Sequence, residues 1–145
     1  MNSSLSSSSS SVSYPLSGIR VLDLSRLLPG PYASQILVDL GAEVIKIEDS
    51  QGDYARYYPP LANDGNSSFF HALNRGKLSV KLDLKLSSDR ELFLKLLETS
   101  QILIESFRPG VLAKLNLDPN YLIKIYPKLI ICSISGKWFV YYNLL

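Results

Sequence analysis

Five short apolar runs, rich in β-branched residues and bounded by polar or turn-forming ones, punctuate the chain. Gly18–Ser25 (GIRVLDLS), Ala42–Glu48 (AEVIKIE), Gln101–Ser106 (QILIES) and Lys128–Ser135 (KLIICSIS) read as buried strands. Leu78–Leu84 (LSVKLDL) reads as a strand or extended segment. Between them the apolar period changes to that of a helix. After the first run, Pro29, Gly30 and Pro31 break the chain, and proline suits the first turn of a helix. Tyr32, Ile36, Leu37 and Leu40 then recur at helical spacing, with Gly41 placed as a C′ residue. Strand, helix, strand is a βαβ unit, so the first two strands are expected to be parallel.

The pattern continues in the same sense. Ser68–Lys77 reads as a short helix ending at Gly76. SSDRELFLKLLETS reads as a strong helix, with a capping box from Ser88 to Glu91 and an apolar side of Leu92, Leu94, Leu96 and Leu97. GVLAKLNL and NYLIKIYP read as two short helices, the second stopped by Pro127. The expectation is an α/β fold, a parallel sheet with flanking helices on its faces. One long polar connection, Asp49–Ser68, carries Gly52, Pro59, Pro60 and Gly65, and loops of that length are functional or disordered. Residues 1–14 form a serine-rich tail too poor in apolar side chains to order itself.

Composition narrows the classes. A chain of 145 residues is enough for one domain with a core. A net charge of +2, with no basic run and no aromatic-basic stripe, gives no argument for nucleic acid. No stretch of about 18 apolar residues occurs, so no membrane span is expected. Cys132 is the single cysteine, which favours a reducing compartment and reads as a core residue on the last strand. With only His71 beside it, a common zinc site has no ligand set, and no metal is expected. The N-terminal tail lacks acidic residues, as transit peptides do, but also lacks arginine, so it supports a mitochondrial address only weakly, and without a continuous apolar core it does not read as a secretory signal. An intracellular location, cytoplasmic or mitochondrial, is the expectation.

Open parallel sheets bind ligands beyond the carboxyl ends of their strands. Four such ends stand out: Ser25–Pro31, Glu48–Gly52, Glu105–Gly110 and Ser133–Gly136. In the third, Phe107 and Arg108 precede a Pro-Gly break, and an aromatic face beside a guanidinium suits a heteroaromatic ring attached to phosphate. On spacing alone, an arginine at a strand end such as Arg108 is more often a solvated or salt-bridged surface residue. Arg75 and Lys77 either meet a phosphorylated ligand or complement the dipole of the helix that ends beside them. Asp23 reads as structural, Asp53 and Arg56 as a simple ion pair, and His71 as a packed or exposed helix residue. Neither GxGxxG nor GxxxxGK[ST] is present, which argues against a dinucleotide or P-loop nucleotide site.

The order of motifs carries more than any one of them. PLSGIRVLDLSRLLPGPYASQILVDLGAEVIKIE, GDYARYYPP, SFFHALNRGKLSVKLDLK, LIESFRPGVLAKLNL and PKLIICSISG follow one another in register. From Pro15 to Gly136 the chain resembles the N-terminal part of the class III CoA-transferase family, the CaiB–BaiF group. The resemblance implies a Rossmann-like large domain, of which residues 15–136 are an incomplete N-terminal part. It implies CoA and acyl-CoA as ligands, a small carboxylic acid as co-substrate, and a homodimer of two interlocked chains.

Carried over by position, Leu27 and Leu28 lie against CoA after the first strand, and Leu82, Asp83, Leu84 and Lys85 form a second contact. Ser106, Phe107 and Arg108 form a third, at the adenine end, and Lys114 meets phosphate. Where some members carry a CoA-binding arginine after the second strand, this sequence has Asp49, leaving Arg75, Lys77 or Arg108 to compensate.

Transferases of the family use an aspartate whose carboxylate attacks the acyl-CoA thioester. The products are a mixed anhydride and CoA thiolate. Racemases of the family move the α-proton with a His/Asp pair. The long stretch from Gly52 to Lys77 favours the transferase reading. In the family SISG continues as a GxGxxGP loop with the catalytic residues after it, whereas here Gly136 is followed by KWFVYYNLL. Residues 137–145 are therefore expected to be a non-family tail. A Gly-Lys pair encoded by GGTAAG holds an intron donor whose read-through gives such a tail. No catalytic residue is assigned in this chain. A non-catalytic CoA-binding or regulatory module is the alternative from a different class.

Overall fold

A computed structural model describes residues 14–136. The expectations for residues 1–13 and 137–145 lie outside the described residues. Five parallel strands form one sheet in the order β3-β2-β1-β4-β5. They are β1 (Arg20–Asp23), β2 (Glu43–Glu48), β3 (Leu78–Lys81), β4 (Ile102–Glu105) and β5 (Ile130–Ser133). The helices are α1 (Pro29–Asp39), α2 (Ser68–Asn74), α3 (Ser87–Glu98), α4 (Val111–Lys114) and α5 (Pro119–Ile125). A single 3₁₀ turn, Tyr54–Tyr57, lies inside the long connection after β2. This is the α/β, Rossmann-like arrangement expected from the alternating periods.

Because successive side chains of a strand point to opposite faces, each central strand feeds two cores. Leu22, Ile45 and Leu103 face a large cluster closed by Phe93 and Leu97 of α3, Leu112 of α4 and Leu122 of α5. Val21, Val44 and Ile104 face the other way, onto Leu37 and Val38 of α1. β5 is an edge strand, and Ile130 and Cys132 on it are exposed. The expectation that Cys132 is a core residue is thus corrected, because no described element covers that side of the strand.

Two helices depart from the pattern read in the sequence. α3 starts at Ser87 with Leu86 as its uncapped N-cap residue, so the Ser88–Glu91 capping box does not form. Asp89 instead accepts the Asp83 backbone N–H at 2.8 Å. Phe93 and Leu97 are the buried anchors of this helix, while Leu92 is exposed.

α1 is inverted. Its buried positions are Gly30, Pro31, Ser34 and Gln35, whereas Tyr32, Ile36 and Leu40 are exposed. The reason is local. The start of the helix is pressed against the turn after β1, where a Cβ on Gly30 would stand 2.1 Å from the Ser25 Cβ. At that point of contact there is no room for a side chain. Gly41, with φ +96°, ends the helix as expected.

Candidate functional site

Behind the carboxyl ends of β1 and β2 lies a buried ionic network. Asp23 accepts the Ser25 backbone N–H at 2.9 Å and also bonds the hydroxyls of Ser25 and Ser34. Lys77 reaches the same carboxylate at 3.3 Å and is held by the Pro31 carbonyl at 2.9 Å and the Asn74 side chain at 3.0 Å. Burial pulls the Lys77 ammonium down to about 8, with the Asp23 charge opposing the fall.

Next to it, Lys46 stands 2.8 Å from Asp53 and donates to the Ser25 carbonyl at 2.9 Å. Glu48 takes Arg56 in a forked pair at 2.6 and 2.9 Å, together with the Ser79 hydroxyl and the Asp53 N–H. Burial works to raise the Glu48 pKa. The hydrogen bonds from Arg56, Ser79 and the Asp53 backbone outweigh it and hold the carboxyl at about 2. The simple Asp53–Arg56 pair read in the sequence is therefore corrected: Asp53 takes the buried Lys46 and Arg56 takes the buried Glu48.

Outside this network the strand ends open into two adjoining clefts. One, of about 150 Å³, is lined by Leu24, Arg26, Ile47, Glu48 and Asp49 from the β1 and β2 ends, by Leu82–Lys85, and by Phe107, Val111 and Leu115. The other, of about 620 Å³, is lined by Ser106–Pro109 and Ile134–Gly136. Phe107 forms part of both walls. Its backbone N–H donates to Glu105 at 2.9 Å, which fixes the turn after β4.

The structure thus brings together seven of the residues singled out in the sequence: Leu82, Asp83, Leu84, Lys85, Ser106, Phe107 and Arg108. Leu27 and Leu28 are exposed on the turn leading into α1. Lys114 ends α4 and is exposed, outside the lining of either cleft. Arg75 pairs with Asp39 at 2.6 Å on the surface and donates to the Ala72 carbonyl at the end of α2. Lys77, only 2% exposed, is spent on Asp23, so neither cation faces the clefts.

Arg26 is a site residue that the sequence reading passed over. Its guanidinium sits 2.5 Å from Asp49, 5.5 Å from the centre of the Tyr54 ring, and lines the smaller cleft. Burial works to raise the Asp49 pKa, and the hydrogen bond from Arg26 wins, so Asp49 is lowered. Asp49 is therefore a paired carboxylate rather than a bare negative charge in the site. The signal for Arg26 was its position three residues past the end of β1, where side chains converge.

His71 stands 2.9 Å from Asp64 on the surface. Among the described residues, no group of His, Cys, Asp and Glu side chains is arranged to hold a metal ion, and no helix is long and apolar enough to cross a membrane.

Comparison with known proteins places this arrangement. The family model for "CoA-transferase family III" matches residues 16–137. The succinate–glutarate CoA-transferase of Agrobacterium fabrum is 45% identical over 129 residues, which cover 84% of this chain and 32% of that protein. The acetyl-CoA:oxalate CoA-transferase of Acetobacter aceti is 45% identical over 123 residues, covering 84% and 31%. The crystal structure of a CaiB/BaiF family protein from Brucella suis superposes with a TM-score of 0.81 at 43% identity, covering 86% of this chain and 34% of that one. The chain spans about a third of the length of the relatives it matches. With the family's model matched across nearly all the described residues, the chain belongs to the class III CoA-transferase family.

Proposed function

We propose that this chain supplies the CoA-binding N-terminal part of an acyl-CoA:carboxylate CoA-transferase. The observation that carries this reading is the convergence of Leu82–Lys85 with Ser106–Arg108 around Phe107, at the carboxyl ends of parallel strands. An apolar floor of Leu82, Leu84 and Phe107 suits a ring, and the exposed guanidinium of Arg108 at the rim suits phosphate. Leu27, Leu28 and Lys114 extend the same binding surface, and Arg26 adds a second cation to it. In this reading the protein moves CoA between small carboxylic acids through an aspartyl anhydride, and two chains assemble as an interlocked dimer. The long Gly52–Lys77 stretch and the CoA-transferase names of the relatives favour transfer over racemisation. Residues 15–136 are the N-terminal part of the large domain, and the nucleophile lies outside them.

Titration calorimetry of CoA into the chain tests this. Binding is expected, weakened at least tenfold by Arg108→Ala and by Phe107→Ala, without a change in melting temperature for the exposed Arg108. A chain that takes up no CoA, or binds it equally after both substitutions, sinks the reading.

A further inference from the structure

Leu27 is one of two described residues other than glycine with positive φ, at +67°. That backbone region is disfavoured for any side chain, because its Cβ crowds the following carbonyl oxygen, so something must hold it there. The Leu27 backbone N–H donates to Asp53 Oδ1 at 3.2 Å, while Asp53 Oδ2 faces Lys46 at 2.8 Å. Lys46 in turn donates to the carbonyl of Ser25, two residues before Leu27. Both side chains are 1% exposed or less. A buried ion pair is an expensive way to gain stability, since apolar residues of the same volume serve as well. What apolar residues cannot do is supply an acceptor to a strained backbone N–H.

We infer that Lys46 and Asp53 are positioning residues that lock the Ser25–Leu28 turn in its left-handed form, so that Leu27 and Leu28 are presented to the ligand. This rests on the CoA reading above. Asp53 acts from the long connection after β2, so that connection and the turn after β1 are set as one unit. The Asp53 backbone N–H is itself fixed by Glu48 at 2.8 Å, and Asp53 Oδ1 also accepts from Ala55 at 2.9 Å, which gives the acceptor a single orientation.

The test compares two double variants that both remove the buried charges and so avoid stranding one ion: Lys46→Met with Asp53→Asn, and Lys46→Met with Asp53→Leu. The first keeps a side-chain acceptor for the Leu27 N–H and the second does not. Amide hydrogen exchange is expected to be at least tenfold faster at Leu27 in the Leu variant than in the Asn variant, with Leu22 of β1 and Leu24 just after it unchanged. CoA affinity is expected to fall about tenfold between the same two proteins.

Equal exchange at Leu27 overturns the inference. Different exchange with equal CoA affinity overturns the claim that the turn is presented to the ligand. If the unaltered chain binds no CoA, the CoA reading fails, and the exchange comparison still decides whether the pair sets the turn.

Discussion

Lys77 Nζ lies 3.3 Å from Asp23 Oδ2, joining the first residue before β3 to the last residue of β1 through a contact whose side chains are 2% and 0% exposed. The contact ties the end of α2 to the start of α1, since Lys77 also holds the Pro31 carbonyl and the Asn74 side chain. It has a thermodynamic consequence. Burial brings the folded-state pKa of Lys77 down from 10.5 to about 8. Below pH 8 the lysine is charged in both states and the folded state carries the whole desolvation cost. Between about 8 and 10.5 the unfolded chain binds the extra proton, so stability rises with pH. The full gain is on the order of 2–3 kcal/mol. Urea midpoints measured from pH 7.5 to 10 are expected to climb, and the climb is expected to vanish in Lys77→Met. A midpoint that falls over this range in both proteins contradicts the assignment.

Glu48 gives the opposite slope at the acid end. Its folded pKa is about 2 against an ordinary 4.5, because Arg56, Ser79 and the Asp53 N–H overcome the effect of burial. The carboxyl is thus depressed in the folded state. Its contribution is complete above pH 4.5 and is lost as the pH falls from 4.5 towards 2. With the side chain only 2% exposed, the loss is on the order of 3 kcal/mol. Glu48→Gln is expected to be less stable at pH 7 and to show a flatter acid limb in denaturant titrations between pH 5 and 2.5. An acid limb as steep as that of the unaltered chain would assign the acid lability elsewhere.

Much of the fold was legible because each strand is a short apolar run between turn signals: all five runs became strands, the central β1, β2 and β4 buried on both faces and the edge strands β3 and β5 largely exposed. The helix faces were less legible. Leu92 and Phe93 are adjacent, and periodicity alone did not say that Phe93 enters the core while Leu92 faces out. On α1 Tyr32 and Ile36 lie on the outside while Leu37 and Val38 reach the second core, and the fully buried side is set by the close approach at Gly30, which no hydropathy pattern records. The clefts were foreshadowed by the strand-end rule and by the motif order. The ion network was not, because Lys46, Glu48 and Asp53 find their partners by three-dimensional proximity; the same proximity separated Asp53 from Arg56, the pair that sequence neighbourhood had suggested.

The approach of Gly30 to Ser25 is directly testable. An added Cβ would meet the Ser25 Cβ at 2.1 Å and its Oγ at 2.2 Å, and Ser25 is fixed by Asp23 through both its N–H and its hydroxyl. The neighbour is not free to give way, so Gly30→Ala is expected to cost about 1–3 kcal/mol by overpacking, despite alanine's better helix propensity. Chemical denaturation measures this. The double variant Gly30→Ala, Ser25→Gly is expected to recover part of the loss by opening the space. A stabilised Gly30→Ala protein would mean that α1 does not press on the β1 turn.

The outward face of α1 carries the last prediction. Leu28, Tyr32, Ile36 and Leu40 recur every four residues and are 50%, 57%, 45% and 40% exposed, so they form one apolar stripe along the helix. An apolar stripe left in water promotes association, while changing residues already exposed costs the fold little, within about 0.5 kcal/mol each. Tyr32→Ser with Ile36→Gln is therefore expected to reduce self-association in sedimentation velocity and to raise solubility, with a denaturation midpoint close to that of the unaltered chain. The buried positions of the same helix respond in the reverse way. Ser34→Leu is expected to destabilise strongly, because it displaces a hydroxyl that bonds Asp23 and is met by Lys77 at 2.8 Å. If Tyr32→Ser with Ile36→Gln unfolds the protein while Ser34→Leu is tolerated, α1 packs with its apolar stripe inward and the inversion is wrong.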